Sequence, residues 1–419
     1  MIMRYTWMNS ALFVLQLFFA CSAAEAATDV FMHPAGNDAS ASPTSRTSPL
    51  RTLEGVESFL KAAGMQGDIN VCIEPGIYQD QLTRWNYYPE DGSITFQPSY
   101  FCGSIVIPSG SGYHVMPRPV VDIDDRPIFD GRGTQPNEQG CWDEGAWFVA
   151  SNPRNLRFIG LHVRNYQSGL FLTAGSPMQG NNLVERSIFE RIGTLWVPQF
   201  GTSPAAIDIV RSTDNIIRNN EFVQIENSSA TLVCDGEAGS GEADIHMHAL
   251  YIAHGSARNL ITDNDMARVS GVAVKFRDGS GVNEMRRNTI AWSGPYYDAD
   301  SQGEEYAAIL DAYHKTGELP SCGLYFQDTR VGPGYYESYT DDATPLFGSY
   351  RHQNGASCAT LGSYAYTESG TTAFTGTQLR EWYESLEAVD CSDSTYQCPQ
   401  PPVQPDPEPC GGNTGTICP

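Results

Sequence analysis

An asparagine followed by short apolar stretches recurs through the middle of the chain: Asn155-Leu156-Arg157-Phe158, Asn182-Leu183-Val184, Asn215-Ile216-Ile217, Asn259-Leu260-Ile261 and, in degenerate form, Asn283-Glu284-Met285. A second asparagine often follows, as in Asn219-Asn220, Asn264 and Asn288. Strands this short cannot bury an apolar face alone, but stacked copies can, and a repeat of roughly 24 to 27 residues suits one coil of a solenoid. The repeat therefore predicts an all-β chain, a right-handed parallel β-helix. The longer intervals imply insertions at Thr194 to Pro204 (TLWVPQFGTSP) and at the acidic stretch Cys234 to Asp244 (CDGEAGSGEAD), in adjacent coils, where they would wall a cleft.

The segment before the repeat fits one end of such a solenoid. From Asp29 to Tyr78 it reads as a strand, a polar loop, an amphipathic helix, a second strand and a Pro-Gly turn, and the helix would cap the open core. This cap, with the asparagine coils behind it, resembles the pectate-lyase-like superfamily, including β-helix polysaccharide lyases such as chondroitinase B and alginate lyases. The resemblance covers about residues 28 to 293 and implies the fold. The same fold carries hydrolases, epimerases and adhesins, so the reaction must come from side chains.

The amino terminus predicts export. Arg4 precedes the apolar run Ala11 to Ala20, and Ala24-Glu25-Ala26 offers a small-x-small cleavage site, so residues 1–26 read as a signal peptide. A rival reading takes Phe19-Ala20-Cys21 as a lipoprotein signal. Without Cys21, ten of the 11 cysteines remain, an even number that suggests disulfides in a secreted or periplasmic protein. Cys391 with Cys398 and Cys410 with Cys418 are candidate local pairs, and the absence of paired CxxC units argues against structural zinc. A net charge of −24 disfavours nucleic acid as a partner. It also repels polyanions, so an acidic polysaccharide would need a locally basic groove or bridging cations. No later stretch has the length of a membrane span, and a monomer that does not enter the membrane is expected.

Four segments follow: the signal peptide at 1–26, the capped β-helix at 27–293, an extension at 294–398 that packs on or completes the β-helix, and a Pro-rich tail at 399–419. Within the extension, Glu304 to His314 and Gln378 to Ala388 look helical.

Strand alternation picks out an outward column. In Val272-Ala273-Val274-Lys275-Phe276-Arg277-Asp278, inward Val272, Val274 and Phe276 leave Lys275 and Arg277 on the outer face. Aligning the preceding coils gives Phe171, Asp208, Tyr251 and Lys275 as successive members. Lys275 is one of three lysines, with Lys61 and Lys315 outside the coils. A lysine beside an arginine suits β-elimination from a uronic acid, which needs neutralisation of the carboxylate, a base for the C5 proton and a proton for the leaving oxygen. Lys275 or Tyr251 would be the base and Arg277 would face the carboxylate. In Asp244-Ile245-His246-Met247-His248, alternating histidines would bind a metal, or His248 would act as proton carrier or as a structural hydrogen-bonding group. Trp147, Trp196 and Phe171 are candidate sugar-stacking rings and Asp208 a substrate-binding carboxylate. The superfamily resemblance further implies a Lys and Arg pair with an acidic calcium site. Lys275 and Arg277 match the first, and Asp208, Glu226 and Asp244 would hold Ca2+.

The expected function is thus a polysaccharide lyase acting on a uronic-acid polymer. Two other classes stand beside it: a glycoside hydrolase pairing Asp208 with Asp244 or Glu226, and a non-catalytic polysaccharide-binding or adhesin protein. An epimerase would use similar groups without shortening the polymer.

Overall fold

The computed structural model describes residues 27–39, 42–102, 125–131, 145–193, 205–226, 247–293, 307–308, 310–313, 318–332, 345–346, 358, 366–374 and 376–389. The chain winds through three parallel sheets in turn, contributing one strand to each per coil. Among the described residues these sheets have ten, nine and seven strands. Every strand pairs with its counterpart one coil away, which makes the molecule a parallel β-helix.

Its core is a set of stacks in register, because each inward side chain meets the equivalent one a rung of about 4.8 Å away. In the ten-stranded sheet Val184, Ile217, Ile261, Met285 and Phe326 form one such stack. In the nine-stranded sheet Phe189, Phe222, Met266, Ile290 and Val331 form another, with Phe189 and Phe222 stacked at 5.3 Å. All of these side chains are buried.

Asparagines hold the corners. Nδ2 of Asn182 donates to Oδ1 of Asn215 (2.7 Å), Asn215 to Asn259 (2.7 Å) and Asn259 to Asn283 (2.9 Å). A second ladder runs Asn220, Asn264, Asn288 at 3.0 Å per step. Each acceptor oxygen also takes the backbone N–H of the asparagine one coil earlier, as Asn259 Oδ1 does from Asn215. Asparagine suits the corner because its side chain offers a donor and an acceptor at once. The residue before each rung of the first ladder, Asn181, Asp214, Arg258 or Val282, is left-handed, which turns the chain into the next sheet. Asn155 is out of step with the sequence alignment. It lies level with Asn181, to which it is hydrogen-bonded at 2.6 Å, and Leu156 occupies the rung of Asn182.

The amino-terminal cap matches the expected order of elements. The helix Leu53–Ala63 starts at Thr52, whose hydroxyl accepts the N–H of Gly55, and ends at left-handed Gly64. Asp38 fixes this start by accepting the N–H groups of Arg51 (2.7 Å) and Thr52 (3.1 Å). Leu53, Val56 and Leu60 close the end of the core.

Beyond Ser293 the winding continues, with strands Leu310–Tyr313, Leu324–Gln327, Arg330–Val331, Tyr366–Ser369 and Thr372–Ala373 joining the three sheets. The helix expected over Glu304 to His314 is therefore not formed where the chain is described. Ala307–Ala308 and Leu310–Tyr313 are strands, and the second pairs with Val274–Arg277, whose open edge supplies hydrogen-bonding partners that an isolated helical propensity cannot match. The second expected helix does form, over Gly376–Glu384. It covers the outside of the nine-stranded sheet, packing Leu379, Tyr383, Leu386 and Ala388 on Ile188, Val223, Ala267, Ala291 and Trp292. Trp382 Nε1 donates to Asp265 at 2.8 Å, and the N–H groups of Glu387 and Ala388 donate to Glu221 at 3.0 Å each.

Among the described residues two disulfides tie the coils, Cys72–Cys102 and Cys322–Cys358. The signal segment, the pairs proposed for Cys391, Cys398, Cys410 and Cys418, and the Pro-rich tail lie outside the described residues. Among the described residues no helix is long and apolar enough to cross a membrane.

Candidate active site

The outward column sits on the seven-stranded sheet, and pairing puts its members level: Phe171 with Asp208, Asp208 with Tyr251, and Tyr251 with Lys275. Arg84 and Val149 extend the column at one end and Asp311 at the other. The long coils gain their extra residues at one corner, where the nine-stranded sheet passes into the seven-stranded one: between Glu190 and Ala205, between Ile225 and His248, and between Ser293 and Leu310. The insertions Thr194 to Pro204 and Cys234 to Asp244 are outside the described residues, as are Trp196, Asp244 and His246. The coil bearing Lys275 turns this corner tightly, from Val269 to Val274.

Phe171 and Lys275 are partly exposed, whereas Tyr251 is 8% exposed and Asp208 3%. The Tyr251 hydroxyl accepts a hydrogen bond from Arg277 Nη1 at 3.2 Å. Burial raises the pKa of this phenol, and the Arg277 guanidinium partly offsets the rise. His248 stacks on Tyr251, with ring centroids 6.1 Å apart, and its Nδ1 lies 2.9 Å from the carbonyl oxygen of Val272. A carbonyl can only accept, so Nδ1 carries a proton, and in the neutral ring Nε2 holds the lone pair. That bond makes His248 at least a structural group at the strand entrance.

Three expectations need correction. Arg277 lies on the outer face as expected but does not await a substrate carboxylate, because Glu318 already supplies one. Arg277 Nε lies 3.0 and 2.9 Å from the two Glu318 oxygens, and Nη2 lies 2.5 Å from Oε1. This bidentate clamp fixes the guanidinium and leaves Nη1 on Tyr251. Glu318 was not legible beforehand, since nothing in its sequence surroundings marks a coil.

Trp147 is not a sugar platform. At 1% exposure it lies inside the solenoid, with its ring centroid 5.1 Å from that of Phe129 and 5.7 Å from that of Phe148. Alternation fails here because two successive residues at the strand entrance enter the core, Trp147 with Phe148, as Ala206 with Ile207 and Ala249 with Leu250 do in later coils.

Glu226 is no partner for Asp208. It follows a strand of the nine-stranded sheet, and both its oxygens accept from Arg268 Nη2, at 3.0 and 3.1 Å. The expected calcium set has Glu226 paired in the same way. Calcium takes about 6 to 8 oxygens, whereas of the three expected carboxylates Glu226 is consumed by an arginine and Asp244 lies outside the described residues. Asp208 remains, with an Oδ2 that has no hydrogen-bond partner among the described residues and a carboxyl that burial pushes well above the usual carboxylate range. The only described group with metal-ligand spacing is Asp29, Cys72 and Cys102, and there the two sulfurs are bonded to each other.

No protein-family model matches the chain, and no curated protein sequence is similar to it. Solved structures are. A crystal structure of an alginate lyase from Paenibacillus sp. str. FPU-7 aligns over 77% of this chain and 93% of its own, at 12% identity and a TM-score of 0.44. The pectate lyase Pel9A aligns over 82% and 78%, at 13% identity and a TM-score of 0.48. The lacto-N-biosidase from Eubacterium ramulus aligns over 83% and 68%, at 9% identity and a TM-score of 0.36. The fold shown by the sheets is a parallel β-helix. A fold of this kind leaves the reaction to the side chains it displays.

Proposed function

We propose that the protein is a secreted or periplasmic polysaccharide lyase that cleaves a uronic-acid polymer by β-elimination on the seven-stranded sheet. The observation that carries this reading is the Tyr251 hydroxyl, held by Arg277 Nη1 at 3.2 Å one rung from Lys275. In the proposed reaction the Lys275 ammonium pairs with the substrate carboxylate. Tyr251, as phenolate, takes the C5 proton. The electron pair left on C5 forms the C4–C5 double bond, the C4–O4 bond breaks, and the same proton passes from Tyr251 to O4. Arg277 is a positioning residue, donating to the Tyr251 oxygen when it is charged, while Glu318 holds the guanidinium in place. Phe171, two rungs from Tyr251, gives an apolar face for a neighbouring sugar. No step requires calcium.

The two disulfides suit an oxidising compartment. The hydrolase reading loses its Asp208–Glu226 pair to the Arg268 contact, and its Asp208–Asp244 pair lies outside the described residues.

The test is ultraviolet absorbance from unsaturated uronate ends, followed with purified protein on a panel of uronate polymers with chelator present. The expected result is a rise on at least one polymer that falls by about 10²–10⁴-fold in Tyr251→Phe and is strongly reduced in Lys275→Ala. Release of reducing ends with no absorbance change would sink the proposal in favour of hydrolysis.

A further inference from the structure

Asp208 is a costly residue for a fold to bury. It lies on the outward column between Phe171 and Tyr251, is 3% exposed, and has an Oδ2 without a hydrogen-bond partner among the described residues. A buried polar atom left unsatisfied costs about 1–3 kcal/mol, and the neighbouring coils fill the same column with Val149 and Phe171 without any such atom. Stability therefore does not account for a carboxyl group here.

The elimination also gains from a second donor at the carboxylate that Lys275 pairs with. As the C5 proton leaves, negative charge builds on the substrate carboxylate, and a donor aimed at that group is worth more in the transition state than in the ground state. Arg277 is taken by Glu318, and the described carboxylates do not assemble a calcium site.

We propose that the Asp208 carboxyl donates a hydrogen bond to the substrate's uronate carboxylate and takes the part that a bound cation or a free arginine would otherwise play. This inference rests on the lyase reading. The carboxylate carbon of a uronate is bonded to C5, and Asp208 is bonded in register to Tyr251, so adjacent groups on the sugar meet adjacent rungs of the sheet. Burial favours the neutral acid, the form that can donate, and an acid-to-carboxylate hydrogen bond is short and strong. No electron transfer is involved. The proton stays shared between the two oxygens during elimination and returns to Asp208 when the product leaves. Tyr251 and Asp208 are nearly covered while Lys275 and Phe171 are partly exposed, so the exposed pair is what the sugar meets first.

Three variants and two readouts test this. Asp208→Leu should lower kcat/KM by about 10²–10³-fold while thermal stability holds or rises. Asp208→Asn, which keeps a donor, should retain most of the activity. In a Tyr251→Phe background, which leaves substrate intact, calorimetry should show Asp208→Leu weakening a uronate oligosaccharide at least tenfold while leaving its carboxyl-reduced counterpart unaffected. Normal elimination by Asp208→Leu, or an equal loss for both ligands with a lowered melting temperature, would overturn the assignment and make Asp208 structural. If wild-type protein produces no unsaturated ends, the lyase reading fails and takes this proposal with it. If it does and Asp208→Leu is as active, only this proposal fails.

Discussion

The Tyr251 oxygen sits between opposing influences, and the balance predicts a pH profile. Burial favours the neutral phenol and the Arg277 guanidinium favours the phenolate; burial is the larger, so the pKa lies above the ordinary tyrosine value. A group that must lose its proton to act is more active as pH rises toward its pKa. We therefore expect kcat/KM to climb with pH through the neutral and mildly alkaline range, at about tenfold per pH unit. Arg277→Gln removes the offsetting charge, pushes the phenol higher and should shift that limb to higher pH, with a larger effect at pH 8 than at pH 10. A flat profile between those values would show that Tyr251 does not act as the base. Lys275, Tyr251 and Asp208 were each legible as column members, because a two-residue period and a turn alignment suffice to place outward positions. Arg277 was assigned the right face and the wrong partner, since its clamp comes from Glu318, 41 residues on.

At the scale of the element, the corner ladders turn a one-dimensional repeat into a rigid stack. Asn259 accepts from both the backbone N–H and the side-chain amide of Asn215, and its own amide donates to Asn283. Removing it strands several buried groups at about 1–3 kcal/mol each. Asn259→Ala should cost roughly 3 kcal/mol or more in reversible denaturant unfolding, whereas Asp214→Ala, at the exposed Arg258 ion pair of the same corner, should cost under about 1 kcal/mol. Comparable losses would mean that the ladder is incidental to stability. The ladder was readable in sequence from Asn182 onward. Asn155 was misassigned by one position because an asparagine in the left-handed turn and an asparagine on the ladder look alike in a motif.

Over the whole molecule, charge opposes the proposed substrate. The chain carries a net −24, and at the described part of the column Lys275 stands beside an arginine already neutralised by Glu318. A uronate polymer is thus repelled at long range and attracted only on contact. Raising monovalent salt from about 0.01 to 0.1 M shortens the screening length from roughly 30 to 10 Å, so kcat/KM on a polymeric uronate should rise over that interval. A protein that gathers its substrate with a basic groove would show the opposite slope, and a fall would point to cationic surface outside the described residues.

The sequence by itself determined the solenoid: coil length, the amino-terminal cap, the corner asparagines and the outward column all follow from local periods and turn chemistry, which depend on residues close together in the chain. Tertiary structure alone decided what each column member touches. Trp147 goes into the core against the ring of Phe129, Glu226 is lost to Arg268 across a coil, and Leu310–Tyr313 becomes a strand because an open sheet edge awaits it. Those outcomes depend on partners 18 or more residues apart, whose separation varies with every insertion, so no fixed spacing in the sequence records them.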